Sequence, residues 1–180
     1  MKRLERSFFD SDATAVAPQL LNKVFAVGPC SGRIAEVEAY THDDAASHSF
    51  RGRTTRNTIM FGPGGVLYVY FVYGMHFCAN VVTGRANDGQ AVLIRAVVPL
   101  SGHAVMIERR GRRDHLADGP AKLCVAFGID RSFDGVDLCA GDRARISDDG
   151  VPPPLAPEVS RRVGISAATD LLRRWSLPPV

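Results

Sequence analysis

Residues 64–82 carry the densest apolar pattern in the chain. Val66, Tyr68, Tyr70 and Val72 fall on one face of an extended segment, and Leu67, Val69, Phe71 and Tyr73 on the other, because strand side chains alternate sides. Both faces are therefore largely apolar. The chain must reverse at Tyr73-Gly74-Met75-His76, where Gly74 supplies the left-handed backbone of a tight turn, and residues 77–82 return as the partner strand. Hairpin tips are ordinarily Asn, Asp, Gly or Ser. A tip of Tyr73, Met75 and His76 is either covered by another part of the fold or built to insert, as wedges that unstack a duplex are.

The same reasoning places a short helix after the capping run Asp10-Ser11-Asp12, with Val16, Leu20 and Leu21 buried and Pro18 disturbing its course. Residues 24–27 read as a strand, 28–32 as a turn and 33–40 as the returning strand. In that strand Ile34, Glu36, Glu38 and Tyr40 are expected on one face and Ala35, Val37 and Ala39 on the other. Two carboxylates beside a tyrosine suit either a solvated face or catalysis. A brief helix at 54–61 ends at Gly62-Pro63-Gly64-Gly65. Beyond the hairpin come a strand at 91–98 with Arg95 inside it, a helix at 101–110, the basic loop 109–113 and a helix at 121–127. Pro120 starts that last helix and Gly128 ends it. A strand at 143–146, a proline-rich connector at 151–157 and a terminal helix at 167–175 complete the pattern. It is an α+β fold, one compact domain over residues 1–180.

With 180 residues and 46% hydrophobic content, the chain is long enough for one proper core. Of its 22 basic residues only Lys2, Lys23 and Lys122 are lysines. An arginine excess of this kind suits phosphate contacts, although coding composition accounts for such a bias equally well. Cys30, Cys78, Cys124 and Cys139 lie far apart, which fits reduced thiols rather than a metal knot or disulfide scaffold. Charges without an apolar run behind them at the N-terminus predict neither signal peptide nor membrane span, hence a cytoplasmic protein. The polar stretch 41–57 holds His42, Asp43, Asp44, His48, Arg51, Arg53 and Arg56; this mixture fits an anionic ligand better than a metal, and no metal or other cofactor is expected. Lys122 near a helix N-terminus suits a phosphate.

Taken together, Arg33-Ile-Ala-Glu-Val-Glu-Ala-Tyr40, His48-Ser49, Leu67-Tyr-Val-Tyr70, Tyr73-Gly-Met-His-Phe-Cys-Ala-Asn80, Leu93-Ile-Arg95 and Gly119-Pro-Ala-Lys-Leu-Cys124 resemble the alkyladenine (3-methyladenine) DNA glycosylase family. The likeness runs from Phe8-Phe9 to about Ile165 in the family's order. It implies a mainly antiparallel curved sheet with flanking helices and a protruding hairpin that intercalates into DNA. It also implies an enzyme that flips a damaged purine, 3-methyladenine, 7-methylguanine, hypoxanthine or ethenoadenine, from duplex DNA and hydrolyses its N-glycosidic bond. By this resemblance Glu38 is the general base, and Tyr40, His48 and Tyr70 surround the base. Asn80 disfavours guanine's exocyclic amine, and Tyr73 fills the vacated space with Met75 and His76 beside it. Arg95 supports Glu38 or a phosphate. With three lysines and none in these motifs, no lyase step is expected. The protein is expected to act as a monomer on damaged double-stranded DNA, without membrane or obligate protein partner, at the nucleoid in a prokaryote or in the nucleus of a eukaryote. The chain's end departs from the family by lacking a longer aromatic tail. A non-catalytic sensor of distorted DNA and a hydrolase of free nucleosides are the competing readings.

Overall fold

The computed structural model describes residues 1–178. Its strands are β1 (Lys2–Arg3), β2 (Val24–Val27), β3 (Cys30–Tyr40), β4 (Leu67–Val72), β5 (His76–Thr83), β6 (Gln90–Ser101), β7 (Ala144–Asp148), β8 (Glu158–Ser160) and β9 (Arg174–Ser176). They form one curved, antiparallel sheet in the order β1-β7-β2-β3-β6-β5-β4, with β8 and β9 branching from β3. Three helices, α1 (Ala13–Leu20), α2 (His103–Arg110) and α3 (Pro120–Phe127), flank it. The α+β class and the antiparallel sheet expected from the sequence are therefore observed.

The core lies between the sheet and these helices. Phe9, Leu20, Phe25, Ile34, Ile94 and Phe127 are fully buried there, and the rings of Phe25 and Phe127 stack 5.6 Å apart. Asp12 caps α1 by accepting the Thr14 amide at 2.8 Å. Pro18 sits inside α1, which runs only two residues further. Short 3-10 turns occupy Arg6–Phe9, Thr58–Phe61 and Arg131–Phe133, so the helix expected over 54–61 is one tight turn.

Further expectations fail. Ile34 does not share a face with Glu36, Glu38 and Tyr40. Along β3 and β6 the register runs Ile34↔Val97, Glu36↔Ala96, Val37↔Ile94, so Ala35 is an extra residue on β3 and Arg95 an extra residue on β6. Each bulge reverses the alternation of its own strand. Ile34, Val37 and Ala39 consequently all enter the core, while Glu36, Glu38 and Tyr40 turn to the opposite face. The expected helix at 167–175 is also absent. The segment bends and then adds β9 to the edge of β3 beyond β2, pairing Glu36–Glu38 with Ser176–Arg174. Unpaired amides and carbonyls along that edge favour a strand over the helical spacing of Leu171, Leu172 and Trp175, and Trp175 packs against the core as part of β9. In addition β3 begins at Cys30, which shortens the expected turn at 28–32 to Gly28 and Pro29.

The hairpin of β4 and β5 forms the sheet's free end. Its turn is Tyr73-Gly74-Met75, closed by the Met75 amide donating to the Val72 carbonyl at 3.2 Å, and His76 already belongs to β5. Tyr73 takes a left-handed φ of 52° and Gly74 one of 68°. Tyr73 and Met75 are 76% and 68% exposed.

Candidate active site

A cleft of about 500 Å³ opens on the face of the sheet away from the core, a size ordinary for small-molecule pockets. One rung of the sheet crosses its floor. Glu38 on β3 lies opposite Leu93 on β6, Leu93 opposite Asn80 on β5, and Asn80 opposite Tyr68 on β4. Period-two alternation then brings Tyr40 and Tyr70 to the same face. The loop between β3 and the Thr58–Phe61 turn supplies His48 and Arg56 as one wall, and residues 163–167 between β8 and β9 supply the other.

Glu38 is completely buried and stands behind the lining rather than in it. Its Oε2 accepts the Tyr40 hydroxyl at 2.8 Å, and its Oε1 accepts the Val163 amide at 2.9 Å and faces an Arg95 Nη at 3.3 Å. Arg95 donates through Nε to Glu36 at 2.7 Å, and Arg174 of β9 approaches the same Glu36 oxygen at 3.4 Å. Burial works against the charge on Arg95, but Glu38 and then Glu36 outweigh it, and its pKa is raised. Glu36 thus has two cationic partners, whereas Glu38 has one plus two neutral donors. Burial, followed by the neighbouring Glu38 charge, pushes the Tyr40 hydroxyl up, so it remains a donor to the carboxylate at neutral pH.

On the opposite side the His48 ring meets Tyr70 edge-on, centroids 4.5 Å apart, and its Nδ1 shares a hydrogen bond with the Tyr68 hydroxyl at 2.9 Å. Burial, reinforced by Arg56, lowers the His48 pKa, which keeps the imidazole neutral. Burial raises Tyr68 to about 12 and raises Tyr70 further, with Cys78 as the next cause. The Asn80 side-chain amide donates to the Tyr68 carbonyl at 3.0 Å, which points its oxygen away from that strand.

Tyr40, His48, Tyr70, Asn80 and Arg95 all line the cleft, and Tyr73 reaches over its mouth. A Cβ placed on Gly164 would stand 3.8 Å from the Tyr73 hydroxyl, so the hairpin tip nearly bridges to the far wall. Met75, His76 and Lys122 lie outside the lining; Lys122 pairs with Asp118 at 2.9 Å near the start of α3. Tyr68 and the 163–167 wall line the cleft without having been assigned a role there from the sequence, whereas Arg56 belongs to the polar stretch expected to face an anion. Tyr68 had a signal, since it shares the face of Tyr70. The wall had none, because its contacts to Glu38 span 125 positions. Among the described residues no group of three His, Cys, Asp or Glu side chains is arranged to hold a metal ion, and no helix is long and apolar enough to cross a membrane.

The chain is similar to known proteins over nearly its whole length. The family model for methylpurine-DNA glycosylase fits residues 7–179. A protein of Burkholderia lata is 51% identical over 97% of this chain and 87% of its own length, one of Rhodopseudomonas palustris is 45% identical over 97% and 87%, and one of Methanoculleus marisnigri is 44% identical over 97% and 94%. All three carry the name "Putative 3-methyladenine DNA glycosylase". A match of this extent shows that the chain belongs to the methylpurine-DNA glycosylase family and is a DNA glycosylase, a hydrolase of DNA repair.

Proposed function

We propose that this enzyme removes alkylated and deaminated purines, 3-methyladenine and 7-methylguanine foremost, from double-stranded DNA by hydrolysis, with Glu38 as general base and an abasic site as product. The observation that carries the proposal is Glu38 itself. A fully buried carboxylate held by one arginine and two neutral donors, behind a cleft walled by Tyr40, His48 and Tyr70, is a weak source of stability, which favours a chemical use for its charge. Among the described residues Oε2 accepts only the Tyr40 hydroxyl, and Tyr40 lines the cleft in front of it; a shift of that ring as a nucleotide enters would open a lone pair of Oε2 to a water directed at the anomeric carbon. A nucleotide turned out of the helix would fill the cleft and enclose that water with Glu38. Deprotonation of the water, attack at the sugar carbon and departure of the purine with the bonding electrons complete one hydrolysis.

Cationic purines benefit twice. They leave as neutral molecules, and electron-rich ring faces attract them by about 0.5 to 2 kcal/mol each. The neutral His48 adds no opposing charge. Asn80 sits in the same rung as Glu38, two strands away across Leu93, and would meet the edge of the base where guanine carries its amino group. The exposed tip Tyr73-Gly74-Met75 serves as the wedge that occupies the space left by the flipped nucleotide. Hydrolysis alone is expected: Lys23 is tied to Asp148 at 2.7 Å, and neither Lys2 nor Lys122 lines the cleft.

The test is base release in single turnover from duplexes carrying 3-methyladenine, 7-methylguanine or hypoxanthine, against the same purines as free nucleosides. Glu38→Gln keeps size and most hydrogen bonds but removes the charge, and should slow release by about 10²- to 10⁴-fold, the range of a lost general base. Duplex binding should persist. Release within tenfold of the parent would remove Glu38 from the mechanism. Binding of damaged duplex by the parent without release of any base would favour the sensor reading, and equal turnover of free nucleosides the third.

A further inference from the structure

Beneath the cleft wall lies an ion pair that touches no solvent. The side chains of Arg162 and Asp44 are both 0% exposed. Both Nη groups of Arg162 donate to the Asp44 carboxylate, Nη2 at 2.9 Å, and Nη1 also donates to the Ala39 carbonyl of β3 at 3.0 Å. The guanidinium lies over the Tyr40 ring, 4.6 Å from its centroid, while Tyr40 itself lines the cleft and Arg162 does not. Arg173 closes the cluster, reaching Asp44 at 3.4 Å and the Thr41 hydroxyl.

We infer that Arg162, held by Asp44, is a positioning residue that sets both neutral hydrogen bonds received by Glu38. The inference rests on the reading of Glu38 as general base. One of those donors is the hydroxyl of Tyr40, whose ring Arg162 backs. The other is the amide of Val163, the residue next to Arg162 in the chain. Fixing one guanidinium therefore fixes the two groups that aim the carboxylate. The same fork joins the two walls of the cleft, since Asp44 belongs to the loop that carries His48, and Arg162 begins the segment whose next residues line the opposite side. Arg162 also approaches the Ala168 carbonyl at 3.4 Å, and Ala168 holds a left-handed φ of 48° that the segment must sustain. Stability alone is a poor reason for such a pair, because stripping water from two charges roughly cancels their attraction, and apolar groups of similar volume do as well or better. Geometry is the better reason. A forked cation bonds Asp44 and Ala39 at once while lying over a ring, which a compact ammonium group does not do.

The experiment compares the parent with Arg162→Met, Arg162→Ala and Asp44→Asn, well below the unfolding midpoint of each. Single-turnover release of an alkylated purine should slow by roughly 10- to 100-fold, the effect of a misplaced catalytic group. Affinity for a duplex bearing an abasic-site analogue should stay within about threefold, the mark of an interaction expressed in the chemical step. Methylguanidinium should restore part of the Arg162→Ala rate, and methylammonium at the same concentration should not. Hydrogen exchange gives a readout independent of activity: the amides of Val163 and Gly164 should exchange on the order of tenfold faster in Arg162→Met while Val37 and Ile94 keep their protection. A parent that releases no base overturns the activity reading, and exchange still decides whether Arg162 holds the wall. Parent-like release and exchange in Arg162→Met, or a loss of release matched by an equal loss of duplex binding, overturns the positioning role.

Discussion

Replacing Tyr73 with glycine separates what the hairpin tip does for the fold from what it does for DNA. Tyr73 holds a φ of 52°, a conformation that costs an L-residue about 1–2 kcal/mol and a glycine almost nothing. At 76% exposure the ring recovers little by burial in the free protein, roughly a quarter of the 1.5–3 kcal/mol that a large side chain gains when fully covered. Glycine adds about 0.5–1 kcal/mol of unfolded-state entropy to be lost. These contributions nearly cancel, so Tyr73→Gly should unfold in urea within about 1 kcal/mol of the parent. Activity should behave differently. Extruding a nucleotide costs a few kcal/mol, and each 1.36 kcal/mol of lost support is tenfold in rate. Release from duplex should therefore fall by about 10- to 100-fold, and release from a single strand carrying the same lesion should fall much less. Tyr73→Asn, which tolerates the same backbone, serves as a second variant free of added flexibility and should match the glycine variant. Unchanged duplex release in both would refute the wedge. A loss of stability well above 1 kcal/mol would show instead that the tip is a structural element.

Asn80→Ala should cost about 1 kcal/mol of stability through the lost bond to the Tyr68 carbonyl, and should allow measurable excision of undamaged guanine, scored against adenine in the same duplex. Because the folded pKa of His48 is depressed, the unfolded chain binds more protons as pH falls below about 6.5. Stability should therefore decline from pH 7 towards the folded pKa, and His48→Gln should flatten that part of a thermal-melt profile. Gly32→Ala would drive a methyl to 2.6 Å from a Val97 methyl and 3.1 Å from the Val98 carbonyl. A loss of about 1–3 kcal/mol is expected, read as a lowered urea midpoint.

The strands β2, β4 and β5 are legible in the sequence because period-two alternation and flanking glycines are local signals. Glu38, Tyr40, His48, Tyr70 and Asn80 could be named from family resemblance, and the structure gathers them at one cleft. Three features escaped for a common reason. The bulges at Ala35 and Arg95 have no marker in residue type, since neither a glycine nor a proline announces them, and only the pairing of two strands some 60 positions apart creates them. The segment ending in β9 reads as a helix because Leu171, Leu172 and Trp175 fit helical spacing. What decides its form is the free edge of β3, which lies more than 130 positions earlier. Arg162 looks like one member of a surface Arg-Arg pair until Asp44 is seen against it, 118 positions away. Periodicity reports on neighbours, whereas these features depend on long-range contacts.

The two bulges have a consequence for how this enzyme can fail. Ala35 and Arg95 each shift their strand by one position, so the side chains that fill the core and those that face the cleft are assigned by one shared offset. Deleting a paired residue such as Val37 would send Glu38 and Tyr40 towards the core and bring Ala39 to the cleft, whereas deleting Ala35 removes only the unpaired residue and leaves both faces as they are. No slipped pairing of β3 on β6 keeps the core while misplacing only the carboxylate. Short insertions and deletions at the paired positions of these strands are therefore all-or-none lesions.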